Sequence, residues 1–181
     1  MATILECLRS SINSQYIPLD QVTMSETIDV NGVEETMTCE ICPKKRNQEW
    51  LLASFDKGGD NKLLFPYFLE IHGLVCMCDY FVFIEEPQRL TVVAVELKHH
   101  LDSPEPQIYI NMPFARFIID RLQELYPTLF DGVTIQYRGI GVKKSFWQKS
   151  FTQGYVLSYN EKHYALLPNP LKMHLALVCD S

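Results

Sequence analysis

Asp79-Tyr80-Phe81-Val82-Phe83-Ile84 and Leu90-Thr91-Val92-Val93-Ala94-Val95-Glu96-Leu97-Lys98 are the stretches whose reading decides how this chain folds. Both are rich in β-branched and aromatic residues, and Glu85-Glu86-Pro87-Gln88-Arg89 separates them, so they read as the antiparallel strands of a hairpin. A symmetric turn centred between Pro87 and Gln88 pairs position 79 with position 96, since both lie equally far from that centre. Strand alternation sends Thr91, Val93, Val95 and Leu97 to one face and Val92, Ala94, Glu96 and Lys98 to the other. Asp79 is therefore expected opposite Glu96, with Lys98 on the same face. A slip of one residue would put the two carboxylates on opposite faces.

Cross-strand partners have Cβ atoms about 4.5–5.5 Å apart, close enough for two carboxylates to grip one divalent cation. A hard ion such as Mg²⁺ or Mn²⁺ held there polarises a phosphodiester, lowers the pKa of an attacking water and stabilises developing negative charge, while Lys98 adds a second positive charge. The competing reading has Asp79 capping a strand end and Glu96 and Lys98 forming a solvated pair on a sheet face. Both strands are apolar and carry their only charges at the same end, which a shared site explains more simply than exposure does.

Outward from the hairpin, Ile4, Leu5, Leu8 and Ile12 have helical spacing within residues 2–14. Asn31-Gly32 between Thr27-Ile28-Asp29-Val30 and Val33-Glu34-Glu35-Thr36 marks a small β-hairpin, read as a cysteine-containing insertion at 18–48 outside the main core. Trp50 to Phe55 and Leu63 to Ile71 are further apolar segments, the first read as a strand. Ser103 is a candidate N-cap for a helix carrying Phe114, Phe117, Ile118, Leu122 and Leu125, which Pro113 is expected to kink or split. Val133 to Val142 then reads as a strand reached through a helical crossover, hence parallel, and Tyr155–Tyr159 with Tyr164–Leu167 as a closing hairpin. The expected fold is one α/β (α+β) domain over residues 1–181, a central mixed sheet flanked by helices.

The chain of 181 residues is 47% hydrophobic, enough for one substantial core, and no apolar run reaches the roughly 18–20 residues of a membrane span. A soluble, cytoplasmic protein with free thiols is expected. Net charge is −6, and the excess acid lies within residues 1–42, where Arg9 is the only base. The balanced remainder does not resemble a general polyanion binder, so any nucleic-acid contact must use a local patch. Arg138, Lys143, Lys144 and Lys149, interleaved with Tyr137, Phe146, Trp147 and Phe151 in an acid-free stretch, are the best candidates, against a reading of core aromatics flanked by solvated lysines.

An acidic residue opening one strand, Glu-x-Lys ending its hairpin partner and a helix next is a pattern that resembles the PD-(D/E)XK restriction-endonuclease-like nucleases, here Asp79, then Glu96-Leu97-Lys98. The stretch from Cys78 to Lys98 is especially similar to small bacterial members, and the resemblance covers about residues 65–145. It implies a restriction-endonuclease-like core, Mg²⁺ at Asp79 and Glu96, Lys98 assisting the attacking water, Gln107 orienting the site and DNA as substrate. Glu6 or Glu70 is implied as the extra acidic residue of some members. Cys78 stands where the name-giving proline would be.

A catalytically inactive nuclease-fold protein serving as a binding or regulatory component, of a defence or mobile-element system, is the alternative, and a protein partner or homodimer fits either. A third reading is a zinc-stabilised interaction module: Cys39 and Cys42 have C-x-x-C spacing, and Cys76 and Cys78 would complete four thiolates, although buried small side chains explain the latter pair equally well. His99 and His100 follow the Glu-x-Lys strand directly, as a substrate or second-metal contact or as plain approach to the helix.

Overall fold

The structure, a computed structural model, describes residues 2–44, 48–56, 77–99, 103–143, 164–168 and 172–179. The chain opens with helix α1 (Ile4–Ser11), followed by strands β1 (Thr23–Val30), β2 (Val33–Cys42) and β3 (Glu49–Ala53). The expected hairpin is β4 (Tyr80–Glu86) and β5 (Arg89–Lys98), then helix α2 (Glu105–Leu125), β6 (Thr134–Lys143), β7 (Tyr164–Pro168), β8 (Lys172–His174) and the short helix α3 (Leu175–Cys179). Two mixed sheets result, a five-stranded one in the order β3-β4-β5-β6-β7 and a three-stranded one in the order β1-β2-β8. The fold is α+β.

Pro87 and Gln88 make a two-residue turn between Glu86 and Arg89, with Gln88 at φ 62°. That turn pairs Tyr80 with Val95 and Phe81 with Ala94, the register in which the next rung joins Asp79 to Glu96. Every residue from Leu90 to Leu97 is buried, because β5 is central and covered on both faces. On one face Leu90, Val92 and Ala94 pack with Phe81, Phe83 and the buried sides of α1 and α2; on the other Val93, Val95 and Leu97 meet Met24, Met37, Cys39 and Ile41 of β1 and β2, with Leu175 and Val178 of α3.

The insertion at 18–48 is thus not outside the core. Its turn is the expected one, with Asn31 and Gly32 at φ 56° and 81° and the Gly32 amide donating to Asp29. Met37, Cys39 and Ile41, alternating with exposed residues, lay the hairpin over the main sheet as a second layer. Helix α2 is not split at Pro113: it continues through it, since Ile108, Ala115, Ile119 and Leu122 on either side are all buried and outweigh one lost main-chain hydrogen bond. β5 and β6 are parallel, as the crossover predicts. β7, expected in a closing hairpin, pairs parallel to β6, and its expected partner at 155–159 lies outside the described residues.

At the outer edge of the main sheet the Gln21 carboxamide binds Leu52 twice, accepting from its amide at 2.8 Å and donating to its carbonyl at 3.2 Å. The Trp50 indole donates to the Gln21 carbonyl at 2.7 Å. Among the described residues no helix is long and apolar enough to cross a membrane.

Candidate metal and phosphodiester site

The β4/β5 ladder ends at Tyr80 and Val95, and the following rung is made with side chains. The Leu97 amide donates to the Asp79 carboxylate at 2.6 Å, and the Asp79 amide donates to the Glu96 carboxylate at 3.3 Å. Each acid is thereby held by the main chain of the opposite strand. Lys98 Nζ lies 2.5 Å from Glu96 Oε1 and 3.3 Å from the Gln107 side-chain oxygen on the first turns of α2, and Gln107 donates in turn to the Met77 carbonyl. The structure therefore brings Asp79, Glu96, Lys98 and Gln107 together.

Glu96 is not part of a solvated pair. Its side chain is 1% exposed and that of Lys98 26%, in a region where an unneutralised charge is costly. Burial, and then the neighbouring Glu96 charge, push the Asp79 carboxyl up to about 8. Burial likewise raises Glu96 to about 7, against the opposing pull of Lys98. Burial by itself would lower Lys98, but its hydrogen bond with Glu96 and the charges of Glu96 and Asp79 outweigh it and hold the ammonium above its usual range. Two crowded carboxyls with raised proton affinity are a place where a divalent cation replaces a proton favourably.

Among the described residues no three His, Cys, Asp or Glu side chains are grouped to hold a metal ion unaided. The two carboxylates among the described residues suit Mg²⁺, which keeps several waters and shares substrate phosphate oxygens, better than a closed structural zinc site. The described cysteines are not grouped into one either. Cys39 packs in the core beneath β1 and β2 and Cys78 in the core beneath the helices, on opposite faces of the main sheet. Cys39 and Cys42 lie three apart on one strand and so point to opposite sides. Cys76 lies outside the described residues.

Comparisons of the chain with protein-family models, with curated proteins and with solved structures find no match. The chemistry of the site is carried by its geometry alone.

The remaining expected residues fall elsewhere. Glu6 closes the capping box of α1, accepting from the Thr3 amide at 2.8 Å while Thr3 Oγ1 accepts from the Glu6 amide. That helix start is fastened to Glu85, whose carboxylate accepts from Ile4 and Leu5; Glu85 lies six positions from Asp79, roughly 20 Å along the strand. The Thr3-x-x-Glu6 spacing already carried the capping signature. Arg138, expected at a phosphate, is 7% exposed, because it shares the face of Ile140 and Val142 that the second sheet covers. Lys143 sits beside Lys98 in register, on the face opposite to Ile140 and Val142. Glu70, His100, Lys144, Trp147 and Lys149 lie outside the described residues.

Glu26 on β1 was not anticipated. Its charge is felt by Asp79, Glu96 and Lys98, and His99 Nε2 lies 3.8 Å from its carboxylate. Its position two residues beyond buried Met24 on the same strand face is the only signal in the sequence that could have pointed inward.

Proposed function

We propose that this protein is a Mg²⁺- or Mn²⁺-dependent phosphodiesterase of the restriction-endonuclease-like type, acting on DNA. The observation that carries the reading is the reciprocal main-chain fastening of Asp79 and Glu96 at the end of one hairpin, with Lys98 and Gln107 beside them. The order of parts agrees with the resemblance: an acid opening β4, Glu-x-Lys ending β5, and α2 next, supplying Gln107. A bound divalent cation would supply a Lewis acid for the phosphate and a more acidic water. Asp79 and Glu96 would hold it; Lys98 would set a fixed positive charge toward the substrate phosphate, and Gln107 would fix the direction of the Lys98 ammonium. Lys143 is the register neighbour of Lys98 on β6.

Incubation with supercoiled and linear DNA in the presence of Mg²⁺ or Mn²⁺ tests the reading, with RNA as a parallel arm. Cleavage that Glu96→Gln abolishes supports it; identical behaviour of wild type and Glu96→Gln on every substrate overturns it. A second reading is a protein that keeps the fold without cleaving; the net charge of −6 counts against strong DNA affinity and so against cleavage of free DNA. Mn²⁺ binding together with DNA retention but no cleavage would favour it.

A further inference from the structure

Consecutive residues of β1 are fastened to both strands of the metal hairpin at its open end. The Tyr80 hydroxyl, next to Asp79, donates to the Ser25 carbonyl at 2.8 Å and accepts from the Ser25 amide at 3.0 Å. His99, next to Lys98, lies 3.1 Å from the Glu26 carbonyl through Nε2; a carbonyl only accepts, so Nε2 carries the proton. His99 is 4% exposed, and packing holds its ring in place. These bonds sit where the main-chain ladder between β4 and β5 has stopped, one on each strand. Besides them, the ends bearing Asp79 and Glu96 are joined by the amide–carboxylate bonds of those two residues and by Gln107, which reaches both Met77 and Lys98, against the mutual repulsion of the two carboxylates.

We infer that the β1/β2 hairpin is a strap that sets the spacing of the metal ligands, with Tyr80 and His99 as positioning residues that act through Ser25 and Glu26. This rests on the reading of Asp79 and Glu96 as cation ligands. The strap resists the spreading of the two strand ends that carboxylate repulsion drives, so the site is preorganised before the cation arrives. Outer partners of metal ligands typically change affinity by about 10–100-fold when removed.

The test is Mn²⁺ binding to the full chain, by calorimetry and by the electron paramagnetic resonance of the bound ion, alongside thermal melts without metal. Tyr80→Phe keeps the ring and loses both bonds to Ser25; His99→Ala loses the bond to Glu26, and His99→Gln can donate to the same carbonyl. Trp50→Phe is the control, since it loses one part-buried hydrogen bond, to the Gln21 carbonyl, at a residue paired with Ile84, five positions and roughly 17 Å along the strand from Asp79. The expected result is a Kd raised roughly tenfold in Tyr80→Phe and His99→Ala, an altered Mn²⁺ spectrum, recovery in His99→Gln and wild-type affinity in Trp50→Phe. Wild-type affinity in both Tyr80→Phe and His99→Ala overturns the strap, as does an affinity loss in Trp50→Phe that matches theirs at equal loss of melting temperature. Failure of the unmutated protein to bind Mn²⁺ overturns the ligand reading and the strap with it, and is told apart because it appears without any substitution.

Discussion

Asp79 and Glu96 hold one another through the main chain: the Asp79 amide donates to Glu96, and the amide following Glu96 donates to Asp79. The arrangement fixes one oxygen of each acid and crowds two negative charges in a largely buried place. Such a pair gains from any positive charge placed between its remaining oxygens, be it proton or cation.

The first consequence is a pH dependence. Burial raises Asp79 to about 8 and Glu96 to about 7 in the folded protein, whereas in the unfolded chain both titrate near 4. The folded state therefore binds their protons more tightly, so this contribution is fully present below about pH 4 and is lost as pH rises through 7 and 8. Asp79→Asn keeps an acceptor for Leu97 and removes a charge. Without metal it should melt roughly 2–8 °C above wild type at about pH 9, a gain of about 1–2 kcal/mol, and show little difference near pH 4. Adding Mn²⁺ at the alkaline end should raise wild type and leave Asp79→Asn unmoved. A wild-type melting curve that rises steadily with pH in metal-free buffer would contradict this.

Gln107 links α2 to the site at both of its side-chain atoms. Gln107→Leu preserves size but strands the Met77 carbonyl, so urea unfolding should show a loss of about 1–3 kcal/mol. Cleavage should fall further than stability explains, as the Lys98 ammonium keeps Glu96 but loses its second guide.

Gln88 adopts a left-handed conformation at φ 62°, which costs a side-chain-bearing residue more than glycine. Gln88→Gly should stabilise the protein by about 0.5–1 kcal/mol, and Gln88→Ile should destabilise it by at least as much. Because this turn sets the β4/β5 register, Gln88→Gly should leave Mn²⁺ affinity intact.

Metal analysis of the purified protein should find no stoichiometric zinc, and a zinc-selective chelator should leave the melting temperature of Cys39→Ser and of wild type equally unaffected. One zinc per chain, lost in Cys39→Ser, would show that the thiols converge after all.

How much was legible follows from where the determinants lie. The pairing of Asp79 with Glu96 is local: a two-residue turn and strict alternation fix it from within twenty residues of chain. Gln107 was implied by the resemblance alone, because which residue of α2 reaches Lys98 depends on how the helix packs on the sheet. Glu26, Tyr80 and His99 are joined by the packing of one sheet upon another, which no spacing in the sequence encodes. The burial of Arg138 has the same origin. Its face is readable from Ile140 and Val142, but the layer that covers that face comes from the packing of β1 and β2, which no local spacing encodes. Pro113 marks the limit of local rules, because burial on both sides of it keeps the helix whole.

The Gln21 carboxamide at Leu52 has a meaning for how this molecule meets copies of itself. A side-chain amide presents the same donor and acceptor as a peptide group, so the outermost strand of the main sheet already has a neighbour at that point, one residue long and unable to propagate. Any homodimer built by running the two sheets together along β3 must first evict Gln21. At this border, continuation of the main sheet into a second copy is obstructed by a side chain of the same molecule.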